Sequence, residues 1–377
     1  MRIGFDGKRA VQNFTGLGNY SRYVADILCH FYPENDYVLY APKKRENKRM
    51  NLLTGQYRQL TLAYPATSFW KKLSSLWRVW GITSQLEKEG IELFHGLSNE
   101  LPLNIHKSRI KSIVTIHDLI FLRYPQYYQS IDRKIYTYKF RKACENADKI
   151  IAISECTKRD IIRYFNIPDD KIEVVYQGCD VSFTHPVTEE KKEEVRKKYQ
   201  LPDHYILNVG SIEERKNILA AVQALPMLPQ HIHIVIVGRR TGYTEKVEQF
   251  IKDNGLGERV HIISNVPFND LPAFYQSAEI FVYPSRFEGF GIPIIEALYS
   301  GTPVVAATGS CLEEAGGPDS IYVNPDDITG LADAFKQIYS NSDKRKNMVE
   351  KGREFAKRFS EKQQSEEIIN IYKKLIR

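Results

Sequence analysis

The chain has 377 residues, 42% of them hydrophobic and 26% charged, so it can bury a large core and does not read as disordered. Its length suits two domains rather than one. A net charge of +7 admits nucleic acid, an anionic membrane or an anionic small substrate as partner, and no helix-turn-helix, zinc-finger or RNP-type signature supports the first. Five cysteines (Cys29, Cys144, Cys156, Cys179, Cys311) are scattered and never in C-x-x-C spacing. That pattern argues for a reducing cytosol and against a disulfide framework or zinc site. No uncharged run approaches the roughly 20 residues of a membrane span.

Met-Arg-Ile-Gly-Phe-Asp at the start reads as a strand and not as a signal peptide. In the first half, strands are expected at Arg2–Phe5, Tyr37–Tyr40, Ile91–Phe94, Ser112–Ile116 and Lys149–Ile153. After the first lies Thr15-Gly16-Leu17-Gly18-Asn19-Tyr20-Ser21, opening a helix over Leu17–His30. Ser21 stands where a dinucleotide fingerprint has its third glycine, so the stretch is a weak match to that fingerprint. As a glycine loop, Gly16 and Gly18 can bring backbone N–H groups to a phosphate; as an ordinary loop, they only open the helix.

Ser68–Trp80 holds all three tryptophans, with Phe69, Leu73, Leu76 and Trp80 at helical spacing and Lys71, Lys72 and Arg78 between them. Lys43, Lys44, Arg45, Lys48 and Arg49 lie nearby in sequence. Such a basic amphipathic helix can lie on an anionic bilayer or bury its stripe in the domain, and both readings stay open. His95-Gly96-Leu97-Ser98-Asn99-Glu100 ends one strand. His117-Asp118 ends another, with Asp118 orienting the imidazole or capping the next turn.

Gln177–Pro186 reads as a connector, followed by a highly charged helix at Thr188–Gln200. The expected division is therefore one doubly wound domain over 1–180 and a second over 181–377, with the last helix free to pack back on the first. The second half should hold strands at Tyr205–Val209, Ile232–Val237, Val260–Ile263, Ile280–Tyr283 and Pro303–Ala306, and helix from about 342 to the end. The alternation predicts an α/β chain of two doubly wound, Rossmann-like domains, whose ligands sit at the carboxyl ends of parallel strands and whose shared cleft is the expected active site. His231 and His233 share one face of a strand, and without a third ligand they read as partly exposed histidines rather than a metal site.

Two constellations carry the chemistry. Asn208-Val209-Gly210-Ser211-Ile212-Glu213-Glu214-Arg215-Lys216-Asn217 follows a strand and precedes a helix near Ile218. Gly210 permits close backbone approach, while Arg215 offers a planar fork and Lys216 a point charge for phosphate oxygens. Arg286-Phe287-Glu288-Gly289-Phe290-Gly291-Ile292-Pro293-Ile294-Ile295-Glu296 places two carboxylates around a glycine-rich turn that opens a helix. Backbone N–H groups there suit an anion, and carboxylates suit sugar hydroxyls. Together they suit a sugar nucleotide.

The set resembles the family 4 retaining glycosyltransferases, which have the two-domain GT-B fold. The E-x7-E element from Glu288 to Glu296, with Gly-Phe-Gly-Ile-Pro inside it, matches that family's signature. Gly210, Arg215, Lys216 and Asn217 match its diphosphate-binding stretch. Ala147–Ser154 with Thr157, and Val174–Asp180, resemble its path between domains, although Tyr176-Gln177 stand where the family more often has Pro-Asn.

The resemblance implies transfer of a hexose from a nucleotide diphosphate sugar to a hydroxyl of a glycan or lipid-linked acceptor. The anomeric configuration is retained and no metal is used; the chain carries no Asp-x-Asp triplet. It implies that the domain over 1–180 is acceptor-side, with His95–Glu100 in acceptor-side structure, that the domain over 181–377 binds the nucleotide sugar, and that His117, Arg215, Lys216 and Glu288 are the catalytic residues. Donor binding falls to Gly16, Gly18, Gly210, Ser264, Val266, Gly289, Phe290, Gly291, Ile292 and Glu296, with Glu296 on the ribose and Ser264–Pro267 walling the base. No cofactor is expected beyond the GDP- or UDP-linked substrate. Gly16–Arg22 looks like a mannosyltransferase stretch, making GDP-mannose one candidate donor. The expected setting is the cytoplasm, in polysaccharide biosynthesis, with a peripheral contact at the inner membrane face as a further option. The rival readings are a non-catalytic sugar-nucleotide-binding subunit and a nicotinamide-dependent oxidoreductase.

Overall fold

The computed structural model describes residues 1–376. The chain divides into two compact units, one of Met1–Tyr176 together with the stretch from Glu361 onward, the other of Gln177–Ser360.

The first unit is a seven-stranded parallel sheet, ordered β3-β2-β1-β4-β5-β6-β7. Its strands are β1 (Arg2–Asp6), β2 (Asp36–Tyr40), β3 (Leu60–Ala63), β4 (Leu93–Gly96), β5 (Lys111–Ile116), β6 (Lys149–Ala152) and β7 (Ile172–Val174). Both faces are covered, as a parallel sheet requires. On one side Val24, Leu28, Ile368, Ile369 and Tyr372 pack with Phe5 and Leu39; on the other Trp77, Ile82 and Leu86 pack with Phe94 and Ile150. The order of connection reverses between β1 and β4, which opens a crevice at their carboxyl ends.

Several expectations shift here. β4 begins two residues later than its apolar run suggests. Gly90 takes a positive φ and Ile91 N donates to the Leu86 carbonyl, so Ile91 closes the preceding helix instead of opening the strand. β3 and β7 were not anticipated. Ser68–Trp80 is not one helix: it runs as short helices Ser68–Lys72 and Ser74–Leu76 and a π-turn Trp77–Gly81. The helical stretch after 342 breaks at Ser360, whose extended backbone separates Ser342–Ala356 from Glu361–Ile376.

The second unit is a six-stranded parallel sheet, ordered β10-β9-β8-β11-β12-β13. Its strands are β8 (Tyr205–Val209), β9 (His233–Val237), β10 (Val260–Ile263), β11 (Ile280–Tyr283), β12 (Val304–Ala307) and β13 (Ile321–Val323). β13 was not anticipated. The charged helix spans Glu189–Tyr199; Thr188 caps it by accepting from Lys191 N, and Gln200 ends it in the left-handed region. Here the order reverses between β8 and β11, which places the loops after those two strands side by side. No helix of the described residues is long and apolar enough to cross a membrane.

The last helix is stitched into the first unit. Gln364 Nε2 donates to the Tyr176 carbonyl at 2.7 Å, and the Tyr372 hydroxyl bonds His95 Nδ1 at 2.6 Å inside the core. Tyr372→Phe leaves a buried imidazole nitrogen without that partner and should cost about 1–3 kcal/mol. Urea unfolding measures it; a midpoint equal to the parent protein's contradicts this role for the helix.

Candidate active site

The site in the second unit is built at the β8/β11 reversal. The loop after β8 carries Gly210, Arg215 and Lys216, and the loop after β11 carries Ser285, Glu288 and Gly289. The two are tied directly: Arg286 N donates to the Arg215 carbonyl at 2.9 Å, and Asn208 Nδ2 donates to the Val282 carbonyl at 2.8 Å. Asn217 follows Lys216 with φ 55°, turning the chain into the helix Ile218–Ala224.

Glu288 Oε1 is the meeting point. Arg215 Nη1 lies 2.9 Å from it and Lys216 Nζ 3.8 Å. Ser285 Oγ donates to the same oxygen at 2.9 Å and the Tyr283 hydroxyl at 3.2 Å. Arg215 also donates to the Phe287 carbonyl, and Lys216 Nζ to the Tyr283 hydroxyl at 3.3 Å. Burial works to raise the Glu288 pKa, but Lys216 and Arg215 hold it below its ordinary value. Burial works against charge on both bases; Glu288 holds the Arg215 pKa above its ordinary range, and Tyr283 with Glu288 does so for Lys216. All three groups are therefore charged near neutral pH, with a net of one positive charge. Gly210 has φ 152°, and a Cβ there would stand 2.9 Å from Lys216 Nζ. Its lack of a side chain leaves room for the lysine.

Glu296 is held differently. It lies on the helix Ile292–Ser300 and accepts from the Tyr275 hydroxyl at 2.7 Å. It shares no hydrogen-bond partner with Glu288. Burial, with the like charge of Asp180, pushes its pKa up to about 7 against the Tyr275 hydrogen bond. Gly291 is the N-cap of that helix and Ile292 its first residue. The Phe290 ring is buried on Phe359, 5.6 Å between centroids, so this residue offers a ligand its backbone only. Cys311 Sγ donates to the Glu288 and Phe290 carbonyls at 3.0 and 2.8 Å, pinning the turn. Ser264 and Val266 follow β10, two strands from β8, and Ser264 Oγ donates to the Gly238 carbonyl at 2.8 Å.

The first unit holds Gly16, Gly18 and His117. A Cβ on Gly18 would stand 1.9 Å from the Asn13 carbonyl oxygen, so the tight turn into the helix Gly16–Phe31 depends on this glycine. His117 is buried at the end of β5. Its N–H donates to Asn99 Oδ1 at 2.7 Å, and its Nε2 donates to the Leu97 carbonyl at 2.9 Å. The Tyr20 ring meets it edge-on at 4.6 Å. Burial pushes its pKa down to about 4; the Leu97 carbonyl opposes the shift and Arg9 adds to it. His117 is thus a neutral imidazole whose Nε2 is committed to the protein. Asp118 Oδ1 accepts from Ile120 N, which makes it a cap for the next turn.

His95 belongs to the core. It is fully buried between Tyr372 and the Thr115 hydroxyl, and burial pushes its pKa down to about 3. His233 pairs with His261 across β9 and β10, Nδ1 to Nε2 3.0 Å. Arg78, read as part of a basic surface stripe, is buried in ion pairs with Asp6 and Glu100.

Sequence reasoning missed Tyr275, Tyr283, Ser285 and Cys311. Tyr283 was visible as the polar end of an apolar run pointing at the site loop. Tyr275 and Cys311 are ordinary residues whose partners lie far away in sequence, and Ser285 is an ordinary loop serine three positions before Glu288.

The description "Glycosyl transferases group 1" matches residues 189–355, and "Glycosyltransferase Family 4" matches residues 21–183. The chain is 31% identical over 289 residues to O-antigen chain mannosyltransferase B of Escherichia coli, covering 75% of this chain and 74% of the relative. It is 29% identical to O-antigen chain mannosyltransferase RfbU of Salmonella typhimurium, over 60% of each chain. In structure it is similar to Anabaena Alr3699/HepE, solved in complex with UDP, with a TM-score of 0.78 over the whole of both chains at 18% identity.

The Glu296 carboxyl keeps its proton to about pH 7 in the folded chain, whereas its ordinary pKa is 4.5. The folded state therefore loses stability as pH rises through that window, and the loss is complete above it. Glu296→Gln removes the titration. Its melting temperature relative to the parent should climb from pH 5 to pH 8; a difference that stays flat across this range contradicts the buried carboxyl.

Proposed function

The chain belongs to the family 4, group 1 glycosyltransferases, and from that premise we propose that it is a retaining, metal-independent hexosyltransferase. It moves a sugar from a nucleotide diphosphate donor to a hydroxyl of a glycan or lipid-linked acceptor. The observation that carries this reading is the Arg215–Lys216–Glu288 cluster at the β8/β11 reversal. It offers two cations in a partly dry crevice, where charge stabilisation is strongest.

Arg215 and Lys216 meet the charge that grows on the departing diphosphate. Glu288 fixes both bases and keeps an oxygen for the donor sugar's hydroxyls. Gly289–Ile292 add backbone N–H groups, Glu296 takes the ribose, and Ser264 with Val266 borders the base. In the transfer, the bond from the anomeric carbon to the β-phosphate oxygen breaks and a bond from the acceptor oxygen to the same carbon forms. The acceptor proton leaves to the released phosphate on the same face. This route needs no covalent carboxylate.

The two O-antigen relatives are mannosyltransferases and HepE was solved with UDP. GDP-mannose and UDP-hexoses are therefore the donors to test, and an O-antigen-like glycan is the acceptor class. A non-catalytic sugar-nucleotide-binding subunit is the alternative; release of free GDP or UDP on turnover excludes it. With a donor and acceptor in hand, Lys216→Ala and Glu288→Ala should each lose roughly a hundredfold in turnover while keeping the fold. Near-normal turnover in either overturns the assigned roles.

A peripheral membrane contact at the inner face fits the exposed side of the Ser68–Trp80 segment. Phe69, Leu76 and Trp80 are at least half exposed or nearly so, at 61%, 51% and 49%, beside exposed Lys71 and Lys72. Trp77 is fully buried and anchors the segment. Apolar side chains flanked by cations match an anionic bilayer. The protein should co-sediment with phosphatidylglycerol vesicles and not with phosphatidylcholine vesicles, and Phe69→Ser with Trp80→Ser should abolish the difference. Equal sedimentation of parent and variant contradicts the contact.

A further inference from the structure

The segment after β2 carries Lys43, Lys44, Arg45, Lys48 and Arg49 against one acid, Glu46. It folds onto the short helix Lys8–Gln12 that precedes the helix Gly16–Phe31. Gln12 Nε2 donates to the Lys43 carbonyl at 3.3 Å, and buried Asn47 donates to the Ala10 and Val11 carbonyls at 3.2 and 3.0 Å. Arg45 Nη1 donates to the Gln12 carbonyl at 3.2 Å, and its guanidinium stands 5.4 Å from the centroid of exposed Phe14.

Arg49 Nη1 reaches Asn19 Oδ1 at 3.1 Å. The same oxygen takes Arg22 Nη2 at 2.6 Å. Two guanidinium groups thus converge on one neutral amide oxygen. Arg22 is buried, and its Nη1 donates to the Ala10 and Asn13 carbonyls. Burial, with the like charge of Arg49, pushes its pKa down to about 10. Among the described residues, none of Arg22, Arg45, Lys48 or Arg49 has a carboxylate at ion-pair distance, and Glu46 pairs with none of them.

Converging cations without a counterion repel one another, and a multivalent anion is the ligand that offsets this. Guanidinium groups favour phosphate through their planar fork. The Arg215–Lys216 pair belongs to the other unit. We propose that Arg45 and Arg49, backed by Arg22, form a second anion site that holds a phosphate or diphosphate group on the acceptor. This rests on the transferase reading above and narrows its acceptor to a phosphate-bearing one. The phosphate could belong to a lipid carrier or to a soluble phosphorylated glycan.

The test is calorimetric titration of the full chain with inorganic diphosphate and with farnesyl diphosphate, each with GDP or UDP already saturating. The parent should bind at least one probe. Arg45→Gln with Arg49→Gln, both exposed and so harmless to the fold, should weaken that binding about tenfold or more. The same variant should bind GDP and UDP like the parent, and Lys216→Ala should show the reverse pattern. Tighter binding of farnesyl diphosphate than of inorganic diphosphate assigns the site to a lipid carrier; equal binding assigns it to a soluble phosphate.

Probe binding unchanged in the double variant overturns the proposal. So does joint loss of probe and nucleotide binding, because the cluster would then serve the donor. Failure of the parent to bind any nucleoside diphosphate sinks the transferase reading instead, and titration without nucleotide still reads the anion site.

Discussion

The second unit is organised around one ion cluster: the Glu288 carboxylate held by Arg215 and Lys216. Two cations in a crevice repel each other and lose hydration, a cost that a fixed counterion offsets. Glu288 supplies it, and Ser285 and Tyr283 orient the same oxygen. The surrounding backbone follows from this demand. Gly210 clears the path of the lysine, Asn217 turns the chain back into a helix, and the Arg286–Arg215 main-chain bond locks the loops together. The geometry is available because the strand order reverses between β8 and β11.

The two carboxylates of the E-x7-E element do different physical work. Glu288 is paired and depressed in pKa, while Glu296 is enclosed, bonded to Tyr275 and raised. At neutral pH the first is fully charged and the second sits near its midpoint. A donor that presents its ribose to Glu296 thus meets a group able to accept or donate a hydrogen bond. This asymmetry suits a ligand with an anionic middle and hydroxylated ends.

Much of the fold was legible because buried parallel strands are written as apolar runs. Tyr205–Val209, Val260–Ile263 and Ile280–Tyr283 have the bounds their sequences suggest. β3, β7 and β13 were not, being short and lying toward or at the sheet edges, where Leu60–Ala63 and Ile321–Val323 are only partly buried. The Ser68–Trp80 segment misled for another reason. Its helical spacing is real, but Trp77 must reach the core and bond Gln85, and the chain breaks its regular turns to let it. Within the site, charged residues and glycines were legible because they have few other reasons to cluster. Tyr275 and Cys311 were not, because their roles exist only through partners brought close by folding, and Ser285 was not, because a serine in a loop has many ordinary uses. His95 shows the converse: a histidine at a strand end, like His117, yet wholly in the core.

The central claim is that fixed cations, and not the apolar surroundings, hold the nucleotide through its diphosphate. Titration of GDP and UDP against guanosine and uridine, across a range of ionic strength, tests it most directly. The account predicts that the diphosphates bind far more tightly and weaken steeply with salt, while the nucleosides bind weakly with little salt dependence. Nucleosides binding as tightly as their diphosphates, with no effect of salt on either, would contradict it.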